Sequence, residues 1–146
     1  MKKVIPILLI LFVLAQLIRI DKSVPTTDAQ ADLFAMNQAP DDIKAMVKGA
    51  CYDCHSYETT YPSYTNVAPL SWWIKGHIKN GRGNTNFSEW GNYDAEKRRR
   101  KAGESAEKIE LIHMPPKSYR FMHSEEAQFT DAQRQQLVGW FKSLVK

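Results

Sequence analysis

Cysteine is almost missing from this 146-residue chain: only Cys51 and Cys54 occur, three positions apart. At most one disulfide can form, so the pair matters for its placement rather than its number. Strand signals are missing too. No segment alternates apolar and polar residues convincingly, which leaves an all-α domain with long connections as the expected fold. Nor is there a Ser-His-Asp-like signature, a glycine-rich phosphate loop or a zinc-protease motif, so hydrolysis and group transfer have no visible site. Excess charge is lacking once the first 20 residues are set aside. The formal net charge is +4, but residues 1–20 hold Lys2, Lys3 and Arg19 with no acid, leaving 17 bases against 16 acids over residues 21–146. That balance gives nucleic-acid binding little support.

What charge there is lies unevenly. Residues 21–60 hold seven acids and three bases, and residues 61–101 eight bases and three acids. Such asymmetry can orient a charged partner; the run Lys97-Arg98-Arg99-Arg100-Lys101 reads equally well as a solvated helix face.

Val4 to Ile18 is an apolar run broken only by Pro6 and Gln16 and preceded by Lys2-Lys3. A helix from Val4 to Ile20 would span about 25 Å against a hydrocarbon core of roughly 30 Å, with Arg19 able to snorkel. Small residues suited to signal cleavage do not follow it; the nearest pattern, Ala29-Gln30-Ala31, lies too far downstream. The reading is an uncleaved membrane anchor over residues 1–20, with the lysines in the cytoplasm and the domain facing the periplasm; cleavage and secretion to the periplasm is the alternative. Residues 21–40, polar and carrying Pro25 and Pro40, read as a tether, and 41–146 as the folded domain.

Asp41 caps a predicted helix whose Ile43, Met46, Val47 and Ala50 share one face and which leads into Cys51. Ser71 is placed to cap a short helix through Trp72 and Ile74, stopped by Gly81 and Gly83. Ser88 can start another turn. Asp94 caps a longer helix to about Ile112, with Ala102, Ala106, Ile109 and Ile112 inward and Pro115-Pro116 ending it. Thr130-Asp131-Ala132-Gln133 is a capping box for a last helix striped by Leu137, Trp140, Phe141 and Leu144.

The segment Cys51-Tyr52-Asp53-Cys54-His55 carries the chemistry. Two thiols at i and i+3 suit the two vinyl groups of one porphyrin, and the next residue is an imidazole that can reach the iron. The pattern points to one covalent haem c on Cys51 and Cys54 with His55 as the proximal ligand. Other uses of the pair are a single disulfide, a thioredoxin-like redox motif, which expects a βαβ neighbourhood absent here, and a zinc site built with two of His55, His77, His113 and His123.

That segment, followed by Tyr61-Pro62-x-Tyr64, Ala68-Pro69-Leu70-Ser71-Trp72-Trp73, His77, Gly81-Arg82, Asn86-Phe87-Ser88-x-Trp90, Met114-Pro115, Tyr119, His123 and Trp140, resembles the bacterial haem-binding domain family in matching order over residues 40–145. The resemblance implies a small monohaem cytochrome c-like domain, covalent haem on Cys51, Cys54 and His55, an extracytoplasmic location and electron transfer. Ser63 stands where the family often has an aromatic residue, a change expected to loosen packing there.

For the second axial position Met114 is the leading candidate, because a Met followed by prolines resembles the distal-ligand loop of small cytochromes c; His77 follows, and His113, His123 and Met122 are further possibilities. The alternative role for Met114 is to fill a gap in the core. Trp72, Trp73, Trp90, Tyr61, Tyr64 and Phe87 are expected to wall the porphyrin or to form an ordinary aromatic core, and Arg82 or Lys75 to pair with a propionate. Three functions compete. The first is a membrane-tethered one-electron carrier working with redox donor and acceptor proteins; the second is a five-coordinate haem domain that senses a gas or reduces peroxide; the third is a haem-free module with a disulfide or zinc.

Overall fold

The computed structural model describes residues 3–146, and among them every regular element is a helix. In chain order these are α1 (Val4–Ala15), α2 (Leu33–Met36), α3 (Asp41–Ala50), α4 (Tyr52–His55), α5 (Leu70–Asn84), α6 (Ala95–Glu110), α7 (Lys117–Met122), α8 (Ser124–Ala127) and α9 (Asp131–Ser143). Three 3₁₀ turns, Ala29–Ala31, Ser63–Asn66 and Phe87–Asn92, connect them.

The core forms where α6 and α9 pack together and receive α3. Ala102, Ala106 and Ile109 face Leu137, Val138 and Phe141, with Ile43 and Val47 joining from α3. Alanines on α6 let the helix axes approach while the larger residues of α9 fill the groove. Asp94 caps α6 by accepting from the Lys97 amide at 2.7 Å, and Thr130 with Gln133 closes the capping box of α9. The expected stripe is kept: Leu137 and Phe141 are buried in the core, and Trp140 and Leu144 pack against it partly buried. Ile112 departs from expectation: α6 ends at Glu110, and Ile112 lies beyond it at φ 59° with 47% of its surface exposed.

Other elements also differ from the sequence reading: α3 begins at Asp41 itself, with Pro40 at the N-cap and no side-chain cap bond. Helix α5 starts at Leu70 with Pro69 at its N-cap and runs through both Gly81 and Gly83 to Asn84, so these glycines do not stop it. The stretch 21–40, read as a tether, enters the fold. Asp28 and Asp32 cap the turns that follow them, and Ala31 and Leu33 are buried. Phe34 stacks on Tyr52 with centroids 5.7 Å apart, and the Tyr52 hydroxyl donates to both Asp32 oxygens at 3.0 and 3.1 Å.

The N-terminal span is shorter than expected. Helix α1 has 12 residues, about 18 Å at 1.5 Å each, because the chain turns after Ala15, where Gln16 leaves the helix to bond both the Ala68 amide and its carbonyl oxygen. No helix among the described residues is long and apolar enough to cross a membrane, which corrects the expected spanning helix. The apolar side chains from Val4 to Leu14 are nonetheless exposed. Of the two lysines proposed to hold this end, Lys2 lies outside the described residues.

Replacing Leu137, which has no exposed surface, by Ala is expected to destabilise the fold by about 2–5 kcal/mol, read as a lower denaturant midpoint with an unchanged slope. Tyr52 and Tyr119 give a second prediction. Burial, then the charge of Asp32 for Tyr52 and of Asp53 for Tyr119, raises both phenols above their ordinary value. Groups raised in the folded state favour folding below their unfolded pKa of about 10 and cease to do so as pH climbs above it. A titration of tyrosinate absorbance should therefore show these two ionising only as the protein unfolds in alkali.

Candidate functional site

Helix α3 delivers the chain to Cys51, whose amide still bonds the Val47 carbonyl at 3.0 Å, and α4 resumes at once. The amides of Cys54 and His55 both return to the Cys51 carbonyl, at 3.2 and 2.9 Å, so the two sulfurs and the imidazole sit on one tight turn. Neither thiol is in a disulfide. Burial, with the neighbouring Cys54 second, pushes the Cys51 thiol up to about 12; burial, with Asp53 second, pushes Cys54 up to about 11. Both are therefore held protonated near neutrality.

His55 is fixed from the opposite side. Its Nδ1 lies 2.9 Å from the carbonyl oxygen of Thr85, just past the end of α5. A carbonyl can only accept, so Nδ1 carries the proton and Nε2 keeps a free lone pair. Burial lowers the pKa of His55 against the bond to Thr85, and the Lys101 charge adds to the fall. The group presented is thus a neutral, oriented imidazole, the form that binds a metal.

Contact between α4 and α5 makes this possible. A Cβ on Gly81 would stand 2.4 Å from the Cys54 carbonyl oxygen, so only glycine permits the approach. The next residue secures it: Arg82 Nε donates to the Ser56 carbonyl at 2.7 Å and its guanidinium reaches Thr59 Oγ1 at 2.9 Å. Ser56 is fully buried, and its hydroxyl donates to the Tyr52 carbonyl at 2.8 Å.

Beside the turn lies an apolar cavity of about 130 Å³, far larger than the space one water needs. Asp53 and Cys54 form one part of its wall, and Tyr61, Tyr64, Trp73 and His77 others. The segment after Met114 closes it with Pro116, Tyr119, Met122 and His123. Tyr119 donates to Asp53 at 2.8 Å and stacks on His123, whose Nε2 lies 2.8 Å from the Tyr64 hydroxyl. Tyr61 is different. Its hydroxyl oxygen is buried with no hydrogen-bond partner.

Of the residues singled out from sequence, Cys51, Cys54 and His55 share one turn, and Cys54 alone of the three lines the cavity. Met114 is not among the residues lining the cavity; it follows the end of α6, 38% exposed, with its amide bonded to Lys108. His77 and His123 do line it, whereas His113 does not. The expected aromatic wall divides: Tyr61, Tyr64 and Trp73 face the cavity, Phe87 and Trp90 belong to the core, and Trp72 is exposed with its indole bonded to the Ile18 carbonyl. Arg82 and Lys75, suggested as propionate partners, are engaged elsewhere, Lys75 with the Asp21 carbonyl. No group of three or more His, Cys, Asp or Glu side chains is gathered for a metal among the described residues, so the zinc arrangement finds no site. Thr85 was missed, since a backbone carbonyl leaves no signal in sequence.

A donor set of two free thiols and one neutral imidazole on a single turn, with Cys54 on the wall of an apolar cavity, fits a haem. The chain belongs to the haem-binding domain family, whose family model matches residues 10–143. No curated protein and no solved structure matches it.

The Gly81 contact yields a paired prediction. Gly81→Ala forces α5 away from the Cys54 carbonyl and should cost about 1–3 kcal/mol, whereas Gly76→Ala, whose Cβ meets nothing within 4 Å, should stabilise by about 0.5–1 kcal/mol. Denaturant unfolding of the two variants checks both signs.

Proposed function

We propose that this chain is a monohaem c-type electron carrier, with haem attached through Cys51 and Cys54 and ligated by His55. The observation that carries the reading is the His55 imidazole, neutral, anchored through Nδ1 to Thr85 and sharing one turn with two unbridged thiols. Each thiol can add its S–H across one vinyl group, sulfur to one carbon and hydrogen to the other, so attachment requires no net oxidation. The bound iron would supply the one-electron couple, and the apolar cavity wall would limit water near it.

Met114 is proposed as the second axial ligand, because Pro116, two residues on, already lines the cavity and the short loop between them links the ligand to that wall. A thioether there raises the reduction potential relative to a second imidazole. His77 is the competing ligand. It lines the cavity itself, packs on Trp73 with centroids 4.2 Å apart, and its ring makes no hydrogen bond among the described residues. Redox donor and acceptor proteins are the proposed partners. The exposed apolar α1 is proposed to hold the domain on the outer face of a membrane, its exit fixed by the bonds from Gln16 to Ala68 and from Arg19 to the Asn66 carbonyl.

Spectra of the oxidised and reduced protein separate these assignments. Met114→Ala should abolish a Met-to-iron charge-transfer band and lower the potential, while His77→Ala leaves both in place. The reverse pattern assigns the position to His77. Rapid carbon monoxide binding by the ferrous wild type, with no ligand displaced, would remove the six-coordinate carrier in favour of a gas or peroxide site.

A further inference from the structure

Helix α1 is apolar on every side. No polar or charged side chain divides Val4–Ala15 into faces, and the large side chains from Val4 to Leu14 are all exposed. A helix seated in a protein groove needs a single apolar stripe, whereas one that is apolar all round suits immersion in hydrocarbon. Its length then matters. At about 18 Å it is shorter than a hydrocarbon core of roughly 30 Å, so the part of the domain that holds its end is drawn close to the lipid headgroups.

That part is the start of α5 and the turn before it. Gln16 bonds the Ala68 amide and carbonyl, Arg19 donates to the Asn66 carbonyl at 2.9 Å, and the Trp72 indole donates to the Ile18 carbonyl at 2.9 Å. Around these bonds Leu17, Ile18, Val67, Leu70, Trp72 and Trp73 are all exposed. Scattered exposed apolar residues are ordinary, but these share one junction. Tryptophan suits a membrane boundary, and Trp72 has its N–H satisfied by backbone while its ring stays outside. The same junction carries Arg19, Lys22 and Lys75, each bonded to neutral oxygens and none in an ion pair among the described residues. Asp21 is the acid among them, its carboxylate accepting from Ser23. The balance is positive, which attracts anionic lipid. Resting on the reading of α1 as the membrane-binding element, we propose that Val67, Leu70, Trp72 and Trp73 form a second membrane-contact surface, by which the folded domain lies against anionic phospholipid. Leu70 and Trp73 also line the cavity, so this contact holds the cavity rim at headgroup level instead of leaving the domain to swing on its helix.

Photo-crosslinking of the full-length holoprotein tests this, in vesicles of phosphatidylethanolamine and phosphatidylglycerol that contain a diazirine-bearing lipid, with labelled peptides mapped by mass spectrometry. Label is expected on α1 and also on residues 67–73, and the label on 67–73 should fall when phosphatidylcholine replaces phosphatidylglycerol. Val67 is exposed and lies outside the cavity wall, so Val67→Glu puts a charge on the surface without entering the core or the cavity. That variant should lose the label on 67–73 and keep the label on α1. Wild-type label confined to α1, or label on 67–73 that Val67→Glu leaves unchanged, overturns the contact surface while the reading of α1 stands. A wild-type protein with no label anywhere overturns both.

Discussion

The approach of α5 to the Cys54 carbonyl is the constraint from which the rest of the site follows. At Gly81 there is no room for a side chain, and that contact sets the distance at which Thr85, four residues later, presents its carbonyl to His55. Three consequences come from it together. The imidazole is held in one tautomer, the two thiols are buried enough to stay protonated, and Asp53 and Cys54 become one wall of a cavity rather than a surface turn. Arg82 then acts as a clasp, and Tyr119, bonded to Asp53 and to the Gly49 carbonyl at 3.1 Å, ties the far wall to the same turn.

The core supports this arrangement without taking part in it. Helices α6 and α9 form the packed base, α3 lies against them, and the motif emerges where α3 ends. Tyr52 bridges the two regions: its ring is in the core, stacked on Phe34, while Asp53, the next residue, lines the cavity. Movement of α3 relative to α9 would therefore reach the thiols directly.

Much of this was legible in the sequence where signals are local. The cap at Asp94, the box at Thr130 and Gln133, and the apolar face of Ile43 and Val47 are read within one or two helical turns, and the structure keeps them. Signals that depend on distant partners were not legible. Leu33 and Phe34 look like stray apolar residues in a polar stretch because Tyr52 and Trp140, which pack with Phe34, are far away in the chain. Gly81 and Gly83 read as helix breakers by propensity, yet tertiary packing carries α5 through both. The cavity wall is harder still. His55 could be singled out by its motif, but the anchoring Thr85 carbonyl and the solitary Tyr61 hydroxyl are properties of the assembled fold.

Intact mass under denaturing conditions, on full-length protein made in cells that attach haem c, addresses the central claim most directly. The account predicts a chain heavier by one haem that organic extraction does not remove, and a chain without that increment when Cys51 and Cys54 are both replaced by Ala. A mass equal to the bare polypeptide, or a haem that extraction strips from the wild type, would contradict covalent attachment at this turn.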